Sequence, residues 1–408
     1  MRVRKIWIVT EFYYPDENAT GFLLTSLAKG LSDTQNVGVI CRRPTWFSKK
    51  EIPRNAGSIP KVERVWATNF NKENLLLRIV NNFVLSLTIS IRLLFKVRSH
   101  DTVLVVTNPP TLPYAAAAIS RMKGARCIIL VYDVYPEVLV AAGLFRADHP
   151  LVKLLHLMTA FLFHLVDAII VLGHDMKNLV AQRYRGTERI LHIIPNWADT
   201  ENIVPTIRED NGFLIQNGIA EKFVVGYVGN IGRTHDIESL VKTAQLLSDS
   251  HDIHFLFIGG GAKRRWLDEY VTRNDLKNVT ILPYFDRSRQ SEVHNACDLS
   301  IISFVPGMAG VSVPSRMYNM MAAGKPILAV TDAWSELATV VREENIGWVI
   351  SSRNPSDIAE CIVRAKQQPE VLLEMGQRAR KAVVRDYSFN QTLRRYESLV
   401  SELEGRSS

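Results

Sequence analysis

Cysteine is scarce in this sequence, and the few cysteines lie far apart. Among 408 residues there are only Cys41, Cys127, Cys297 and Cys361. Zinc sites need clustered ligands such as a CxxC pair, so this spacing argues against a zinc site. Unpaired thiols in a chain of this length are typical of a reducing compartment.

Long uninterrupted apolar runs are missing as well. The two longest apolar stretches, 75–96 and 151–173, contain charged or amide side chains, whereas a membrane-spanning helix needs about 20 consecutive apolar residues. The amino-terminal sequence "MRVRKIWIVTEF" has a short apolar run that alternates like a strand, unlike a secretory signal. We therefore expect a cytoplasmic protein.

Two common nucleotide-binding motifs are also absent. The sequence has no GxxxxGKS/T motif, and no GxGxxG motif follows its first predicted strand. These absences argue against a P-loop ATPase and against a dinucleotide-dependent oxidoreductase.

Positive charge is present in excess. The chain has 49 Lys and Arg residues against 41 Asp and Glu, a formal net charge of +8. This excess favours an anionic partner such as phosphate groups, a membrane surface or nucleic acid. Because the basic residues are dispersed and form no motif with interleaved aromatic residues, we do not expect nucleic acid to be the partner.

The length and the hydrophobic pattern predict two α/β domains. Apolar, β-branched strands alternate with amphipathic helices in the first half, and the same alternation restarts at "KFVVGYVGNIG", residues 222–232. We predict two doubly wound, Rossmann-like domains over 1–200 and 201–387, facing a central cleft. The final helix, within 388–408, is expected to return to the first domain. Ligands of such sheets bind at the carboxyl ends of the strands.

Three loops of the second half combine glycine, basic residues and helix starts. They are "YVGNIGRTHD" (227–236), "FIGGGAKRRW" (257–266) and "SVPSRMYNMMAAGKPILAV" (312–330). Glycines allow a ligand to approach the backbone closely, and a helix N-terminus attracts an anion. Arg233 and Arg316 can add bidentate contacts to phosphate. Together the loops predict a diphosphate site.

Each loop taken alone has a simpler interpretation. The glycine run 259–261 can be a tight turn, and Lys263 and Arg264 are more typical of a solvated helix face.

These motifs resemble glycosyltransferases of family 4, in particular the bacterial branch that assembles surface polysaccharides such as colanic acid and O-antigen. The resemblance extends over nearly the whole chain. It is carried most specifically by "VPSRMYNMMAAGKPI" and "DVYPE", and also by "FYYPDENATGFLLTSLAKGL", "IIPNWAD", "GYVGNIGRTHDIESLVKTA", "FIGGGAKRRWL", "LPYFDRSRQSEVHNACDLSII" and "IGWVI".

The resemblance implies the GT-B fold and transfer of a sugar, with retention at the anomeric carbon, from a nucleotide sugar that we expect to be UDP-linked. It also implies that no metal ion is required, because helix dipoles and basic side chains stabilise the leaving diphosphate. The residues that we predict to bind the donor are Gly229, Asn230, Arg233, Gly260, Tyr284, Ser315, Arg316 and Asn319.

The sequence departs from the family pattern at four positions. Two glutamates common around the donor helix are replaced by Val311 and Asn319, and an arginine and a lysine common in the first loop are replaced by Asn230 and His235. Asn319 can hydrogen-bond a sugar hydroxyl but carries no charge. Because Asn230 and His235 replace the usual cations, we assign the main phosphate role to Arg233. These departures leave the base and the sugar of the donor open.

Asp133 and Glu137 are the candidate catalytic residues of the first half. Asp133 follows a predicted strand, at the place where many relatives have a histidine, and could accept a proton from the acceptor. It could equally cap a short helix that starts near Pro136. Gly21 and Asn108, in loops after other strands, are predicted to face the acceptor. The loop 17–21 can equally be an ordinary turn with Thr20 as a helix cap, and the prolines after Asn108 can equally form only a rigid turn.

Residues 76–97 form a basic, apolar helix that can lie in an anionic membrane interface or belong to the core. A membrane position suits a polyprenyl-diphosphate-linked or other glycan acceptor, so we expect peripheral attachment to the inner face of the membrane. Two other functions stay open: a non-catalytic nucleotide-sugar binding protein and a UDP-sugar epimerase, both with the GT-B fold.

Overall fold

A computed structural model describes residues 4–16, 18–44, 60–70 and 75–405. The chain divides into two compact units. Unit 1 consists of Met1–Pro136, Ala147–Pro195 and Leu393–Ser408, and unit 2 of Glu137–Arg146 and Asn196–Thr392. Whereas the predicted division places all of 1–200 in one domain, residues 137–146 group with the second unit.

Unit 1 is built on a seven-stranded parallel sheet. Its strands are β1 (Ile6–Val9), β2 (Val37–Arg42), β3 (Lys61–Val65), β4 (Thr102–Val106), β5 (Arg126–Leu130), β6 (Ala168–Val171) and β7 (Leu191–Ile193). Their order is β3-β2-β1-β4-β5-β6-β7, with Ile6 aligned between Val37 and Thr102. The central strands are buried along their length, which explains their near-continuous Val and Ile content.

Helices connect these strands. They are α1 (Ala19–Ser32), α2 (Leu75–Lys96), α3 (Leu112–Lys123), α4 (Glu137–Ala141), α5 (Pro150–His164) and α6 (His174–Arg183). Asn18 caps α1 by accepting a hydrogen bond from the amide of Gly21, so Thr20 is not the cap residue. The α3 helix ends at Gly124, whose φ of 64° suits glycine.

Unit 2 contains a six-stranded parallel sheet in the order β10-β9-β8-β11-β12-β13. Its strands are β8 (Phe223–Val228), β9 (Ile253–Ile258), β10 (Val279–Leu282), β11 (Leu299–Ser303), β12 (Ile327–Val330) and β13 (Gly347–Ile350). The helices that follow α6 in the chain are α7 (Gly212–Gln216), α8 (Ile237–Leu246), α9 (Arg264–Arg273), α10 (Gln290–Asn295), α11 (Arg316–Ala322), α12 (Glu336–Glu343), α13 (Pro355–Lys366), α14 (Pro369–Asp386) and α15 (Phe389–Gly405).

A buried aromatic cluster fixes the ends of β8 and β9. Tyr227, Phe255 and Phe257 are fully buried in the core of unit 2, with Tyr227 aligned opposite Phe257. Because a core side chain contacts many neighbours, these strands hold the loops that follow them at defined positions.

The prediction of two doubly wound parallel domains is confirmed, and several local details differ. The β3 strand was not predicted, because its sequence KVERV alternates charged and apolar residues at an edge of the sheet. The short α7 helix and the α14 helix were also missed. In the third loop, Pro314 and Gly324 predict a helix over 314–323, whereas α11 begins at Arg316.

Candidate functional site

The loops after β8 and β9 lie against each other and require glycine where they meet. At Gly259, where φ is 147°, a Cβ atom would lie 1.9 Å from the carbonyl oxygen of Gly229. The amide of Ile231 donates a hydrogen bond of 2.8 Å to the carbonyl of Gly260. A side chain at residue 259 would therefore separate the two loops.

Two basic side chains at the start of α9 hold these loops. Arg264 donates hydrogen bonds to the carbonyl oxygens of Gly259 (2.7 Å) and Leu282 (2.8 Å). Lys263 donates to the carbonyl oxygen of His235 (2.7 Å) and pairs with Glu238 (2.8 Å). The interpretation of both residues as a solvated helix face was wrong, because the turn from β9 into α9 directs them back onto the loop backbone.

Arg316, the first residue of α11, has a buried guanidinium at the same loops. Its guanidinium carbon lies 4.4 Å from the centre of the Tyr227 ring. Beside it, a Cβ atom at residue 229 would come within 2.8 Å of Nη1. All three guanidinium nitrogens are buried, and none has a hydrogen-bond partner in the part of the chain that the structure describes. An unpaired buried cation is costly, so this geometry suits an anionic ligand.

His235 is buried beside two of these cations. Its buried ring stacks on Phe304, with 5.2 Å between the ring centres. Burial, followed by the charges of Arg316 and Lys263, holds the pKa of His235 well below its ordinary value. The imidazole is therefore neutral at physiological pH, and the charges of Arg316 and Lys263 both disfavour its protonation.

The other donor-binding residues predicted for the first two loops, and Tyr284 after β10, lie close to Arg316 and the glycine loops. Tyr227 donates a hydrogen bond of 2.6 Å to the carbonyl of Asn230. Tyr284 is exposed, and its hydroxyl donates a 3.3 Å hydrogen bond to the carbonyl of Gly260. Arg233 lies in the loop after β8, with Asn230, and its side chain is exposed. The buried cation beside Gly229 is therefore Arg316, not the residue to which we gave the main charge role.

The third loop contributes two polar residues around Arg316. Ser315 precedes α11, and its side chain makes no capping hydrogen bond. Asn319 is half-buried and follows Arg316 by three residues, which places both on one face of the helix. Val311, at the position of a family glutamate, is buried.

An ion pair that the sequence analysis missed fixes the start of this third loop. Asp332 accepts hydrogen bonds from the amides of Gly307 (2.9 Å) and Ala309 (3.3 Å) and pairs with Arg353 at 2.9 Å. Arg353 also donates to the carbonyl of Phe304. The chain between β11 and α11 is thereby held in place, which helps to position Arg316.

The candidate catalytic residues are divided between the two units. Asp133 follows β5 in unit 1 and is half-buried; its amide and that of Tyr132 approach the hydroxyl of Thr107 at 3.5 and 3.1 Å. Glu137 begins α4 and belongs to unit 2.

The residues predicted to face the acceptor lie in unit 1. Gly21 is buried in the first turn of α1, where a Cβ atom would come within 2.5 Å of the carbonyl oxygen of Asp16. Asn108 follows β4 and is half-buried. Part of the predicted loop 17–21 falls on Glu17, which lies outside the described residues. Among the residues that are described, no group of three or more His, Cys, Asp or Glu side chains could hold a metal ion.

Comparison with known proteins gives a family match in unit 2 and relatives along the whole chain. Residues 213–382 match the family described as glycosyl transferases group 1. The chain is 29% identical to the probable glycosyltransferase WbjE of Pseudomonas aeruginosa, over 99% of both proteins. It is 22% identical to the putative colanic acid biosynthesis glycosyl transferase WcaI of Escherichia coli K12, over 70% of both.

Solved structures share the fold at low sequence identity. A sucrose-phosphate synthase from Thermosynechococcus elongatus superposes with a TM-score of 0.78 and 15% identity, over 99% of this chain and all of that one. Anabaena HepE in complex with UDP and glucose superposes with a TM-score of 0.76 and 15% identity, over 98% of this chain and 100% of HepE. WaaG, a glycosyltransferase involved in lipopolysaccharide biosynthesis, superposes with a TM-score of 0.66 and 16% identity, over 93% of this chain and 95% of WaaG. Residues 213–382 are therefore similar to group 1 glycosyl transferases, and the architecture of the chain is the GT-B fold that these solved structures share.

Proposed function

We propose that the protein transfers a sugar from a UDP-linked donor to a glycan acceptor, with retention at the anomeric carbon and without a metal ion, as the family 4 enzymes that it resembles do. The relatives support a role in bacterial surface polysaccharide synthesis: WcaI is named for colanic acid biosynthesis, and WaaG is described as acting in lipopolysaccharide biosynthesis. HepE, which shares the fold, binds UDP.

The observation that carries the proposal is the buried, unpaired guanidinium of Arg316. During transfer the bond between the anomeric carbon and the diphosphate oxygen breaks, and negative charge grows on the diphosphate. A guanidinium already held in place by Tyr227 can stabilise this charge without rearrangement. Removing one such contact costs about 3 kcal/mol of transition-state stabilisation.

The residues around Arg316 provide contacts for the diphosphate, the hydroxyl groups and the nucleoside of the donor. The glycine loops at Gly229 and Gly260 let the diphosphate approach the backbone, and Ser315 and Asn319 offer hydrogen bonds to hydroxyl groups. The exposed ring of Tyr284, beside Gly260, provides a surface for the nucleoside. Arg233, on the loop of Gly229, adds an exposed cation.

On the acceptor side we propose Asp133 as the group that takes the proton of the acceptor hydroxyl, with Glu137 as the second candidate. Gly21 and Asn108 line the loops of unit 1 that contact the acceptor. We propose a polyprenyl-diphosphate-linked glycan as the acceptor and a cytoplasmic enzyme attached peripherally to the inner membrane.

A donor screen with the purified full-length chain tests this function. Thermal unfolding is measured with UDP-, GDP- and ADP-glucose, and transfer with each donor that stabilises the protein is followed by NMR, which reports the anomeric configuration of the product. The proposal expects stabilisation by the UDP-sugar, a retained configuration, and activity that persists in EDTA. Binding without transfer or hydrolysis would instead favour a non-catalytic binding protein, and conversion of the UDP-sugar without acceptor would favour an epimerase.

A further inference from the structure

Three helices of unit 1 form one layer over its sheet. The hydroxyls of Ser86 on α2 and Thr111, which precedes α3, lie 2.7 Å apart. Tyr114 on α3 and Thr159 on α5 are hydrogen-bonded at 3.2 Å. The α2 helix, considered by length and composition alone, could cross a membrane. Its inner face, however, belongs to the core of unit 1, so α2 lies along the protein and does not leave it.

The inner face of α2 is anchored by apolar and polar contacts. Leu85, Ile89 and Leu93 are buried. The side chain of Asn81 exchanges hydrogen bonds with the backbone of Phe70, at 3.1 and 3.0 Å. These contacts fix which side of the helix points outward.

The outward faces of α2 and α5 are apolar stripes. On α2 the side chains of Phe83 and Phe95 are 62% and 75% exposed, and on α5 those of Leu157 and Phe161 are 70% and 64% exposed. Further exposed apolar residues continue both stripes at a spacing of three to four, which is one face of a helix; they are Ile79, Leu87, Ile91, Leu151 and Leu154. A surface of this extent indicates an interaction site.

Aromatic residues extend the surface next to α2. Thr88 donates a 2.9 Å hydrogen bond to the carbonyl of Trp66, which places Trp66 beside the helix. Trp66 and Phe70 are both about half exposed. Tryptophan at the border of an apolar surface is typical of a membrane interface.

The charge of this layer is of one sign. The sequences of α2, α3 and α5 contain no Asp or Glu. Arg92 and Lys96 are paired with Glu63 and are therefore committed to the fold. The exposed basic residues Arg78, Arg121 and Lys153 remain at the surface. A second copy of the chain would present the same positive charges and be repelled, whereas an anionic lipid surface complements them.

We propose that α2 and α5 together dock unit 1 on an anionic lipid leaflet, lying in the interface with their apolar stripes among the acyl chains. This docking face deepens the proposed function and rests on its lipid-linked acceptor. Thr159 of α5 also donates a 3.4 Å hydrogen bond to the carbonyl of Tyr135, two residues from Asp133. The buried side of α5 therefore contacts the loop that carries Asp133, while its exposed stripe faces outward.

Co-sedimentation of the full-length protein with vesicles tests the docking face. Phosphatidylcholine vesicles with and without phosphatidylglycerol are compared at low salt and without donor. The charge variant Arg78→Glu/Lys153→Glu is expected to lower binding to the anionic vesicles by about thirtyfold or more, because each basic residue at such a surface contributes to the partition. The matched control Arg273→Glu/Lys381→Glu makes the same charge change on exposed residues of unit 2 and should retain binding.

A second pair of variants tests the apolar stripes. Phe83→Ser/Phe161→Ser should lose binding, whereas Leu246→Ser/Leu373→Ser, at exposed apolar positions of unit 2, should keep it. Circular dichroism and the thermal shift with UDP report whether each variant is folded.

Three outcomes would overturn the docking proposal. They are wild-type protein that never sediments with anionic vesicles, equal losses in the control variants, and a concentration-dependent dimer that replaces vesicle binding, which would assign the face to a second copy. Vesicle binding by a protein without transferase activity would support docking and refute the proposed reaction, so the two failures are distinguishable.

Discussion

Replacing Arg316 by methionine is expected to stabilise the free protein while it impairs nucleotide binding. Methionine keeps most of the length of the stem but removes three buried nitrogens that lack a hydrogen-bond partner among the described residues. An unsatisfied buried polar group costs about 1–3 kcal/mol, and a charged group such as this guanidinium lies at the upper end of that range or above it. The contact with the Tyr227 ring returns about 1–2 kcal/mol. The balance favours the methionine variant by about 1 kcal/mol.

The assay is thermal unfolding with and without UDP. A gain of about 1 kcal/mol raises the melting temperature of a unit of this size by about 2–4 °C. The stabilisation by saturating UDP should nearly disappear at the concentration that saturates the wild type, because a lost charge-assisted contact weakens binding by about thirtyfold. The melting temperature of the free protein therefore rises while the shift with UDP falls. A mutation that simply damages the fold cannot produce this combination.

Two arginine variants serve as comparisons. Arg233→Met removes an exposed cation of the same loop, so it should weaken UDP binding without changing the stability of the free protein. Arg273→Met, on α9 and exposed, should change neither. The reasoning about Arg316 is refuted if Arg316→Met lowers the melting temperature of the free protein and leaves the shift with UDP intact, since the guanidinium would then be structural.

Further outcomes follow from other contacts. Gly259→Ala should abolish the thermal shift with UDP, because its Cβ would collide with the carbonyl of Gly229, whereas Gly212→Ala, with its nearest neighbouring atom at 3.9 Å, should leave the shift unchanged. The pKa of Glu63 is lowered to about 2, mainly by its hydrogen bond with Lys96, so this carboxylate stabilises the fold above its ordinary pKa of 4.5 and the contribution is lost as the pH falls toward 2. Glu63→Gln should therefore lower the free energy of unfolding in urea by about 2 kcal/mol at pH 7. In this variant the stability should also decline less between pH 5 and pH 2 than in the wild type, and an unchanged pH profile would contradict this. Asp133→Asn should lower kcat more than donor affinity, and a loss of affinity at normal kcat would make Asp133 a binding residue only.

Much of the architecture is determined by local sequence. Strands such as β8 and β9 are mostly apolar and are followed by glycine, and they alternate with amphipathic helices at lengths that suit parallel crossovers. The elements missed, such as β3, lie where alternating charges or an edge position weaken this pattern. The first two glycine-rich loops could also be located from the sequence, because each directly follows a predicted strand.

The role of each basic side chain was decided only by the tertiary structure. In the sequence Arg233, Lys263, Arg264 and Arg316 are equivalent cations near glycines. Folding turns Lys263 and Arg264 onto backbone carbonyls, leaves Arg233 exposed, and buries the guanidinium of Arg316 against Tyr227. Residue 316 is 89 positions away from residue 227 in the chain, so no local pattern reports their contact.

The sequence by itself determined the order of strands and helices, the glycine loops and the positive charge, because these depend on residue type and on spacing over a few positions. Only the tertiary structure decided which cation is left without a partner and which apolar helix faces remain outside the core. Both depend on which distant segments come together, since the burial of a side chain is a property of its neighbours in space and not of its neighbours in sequence.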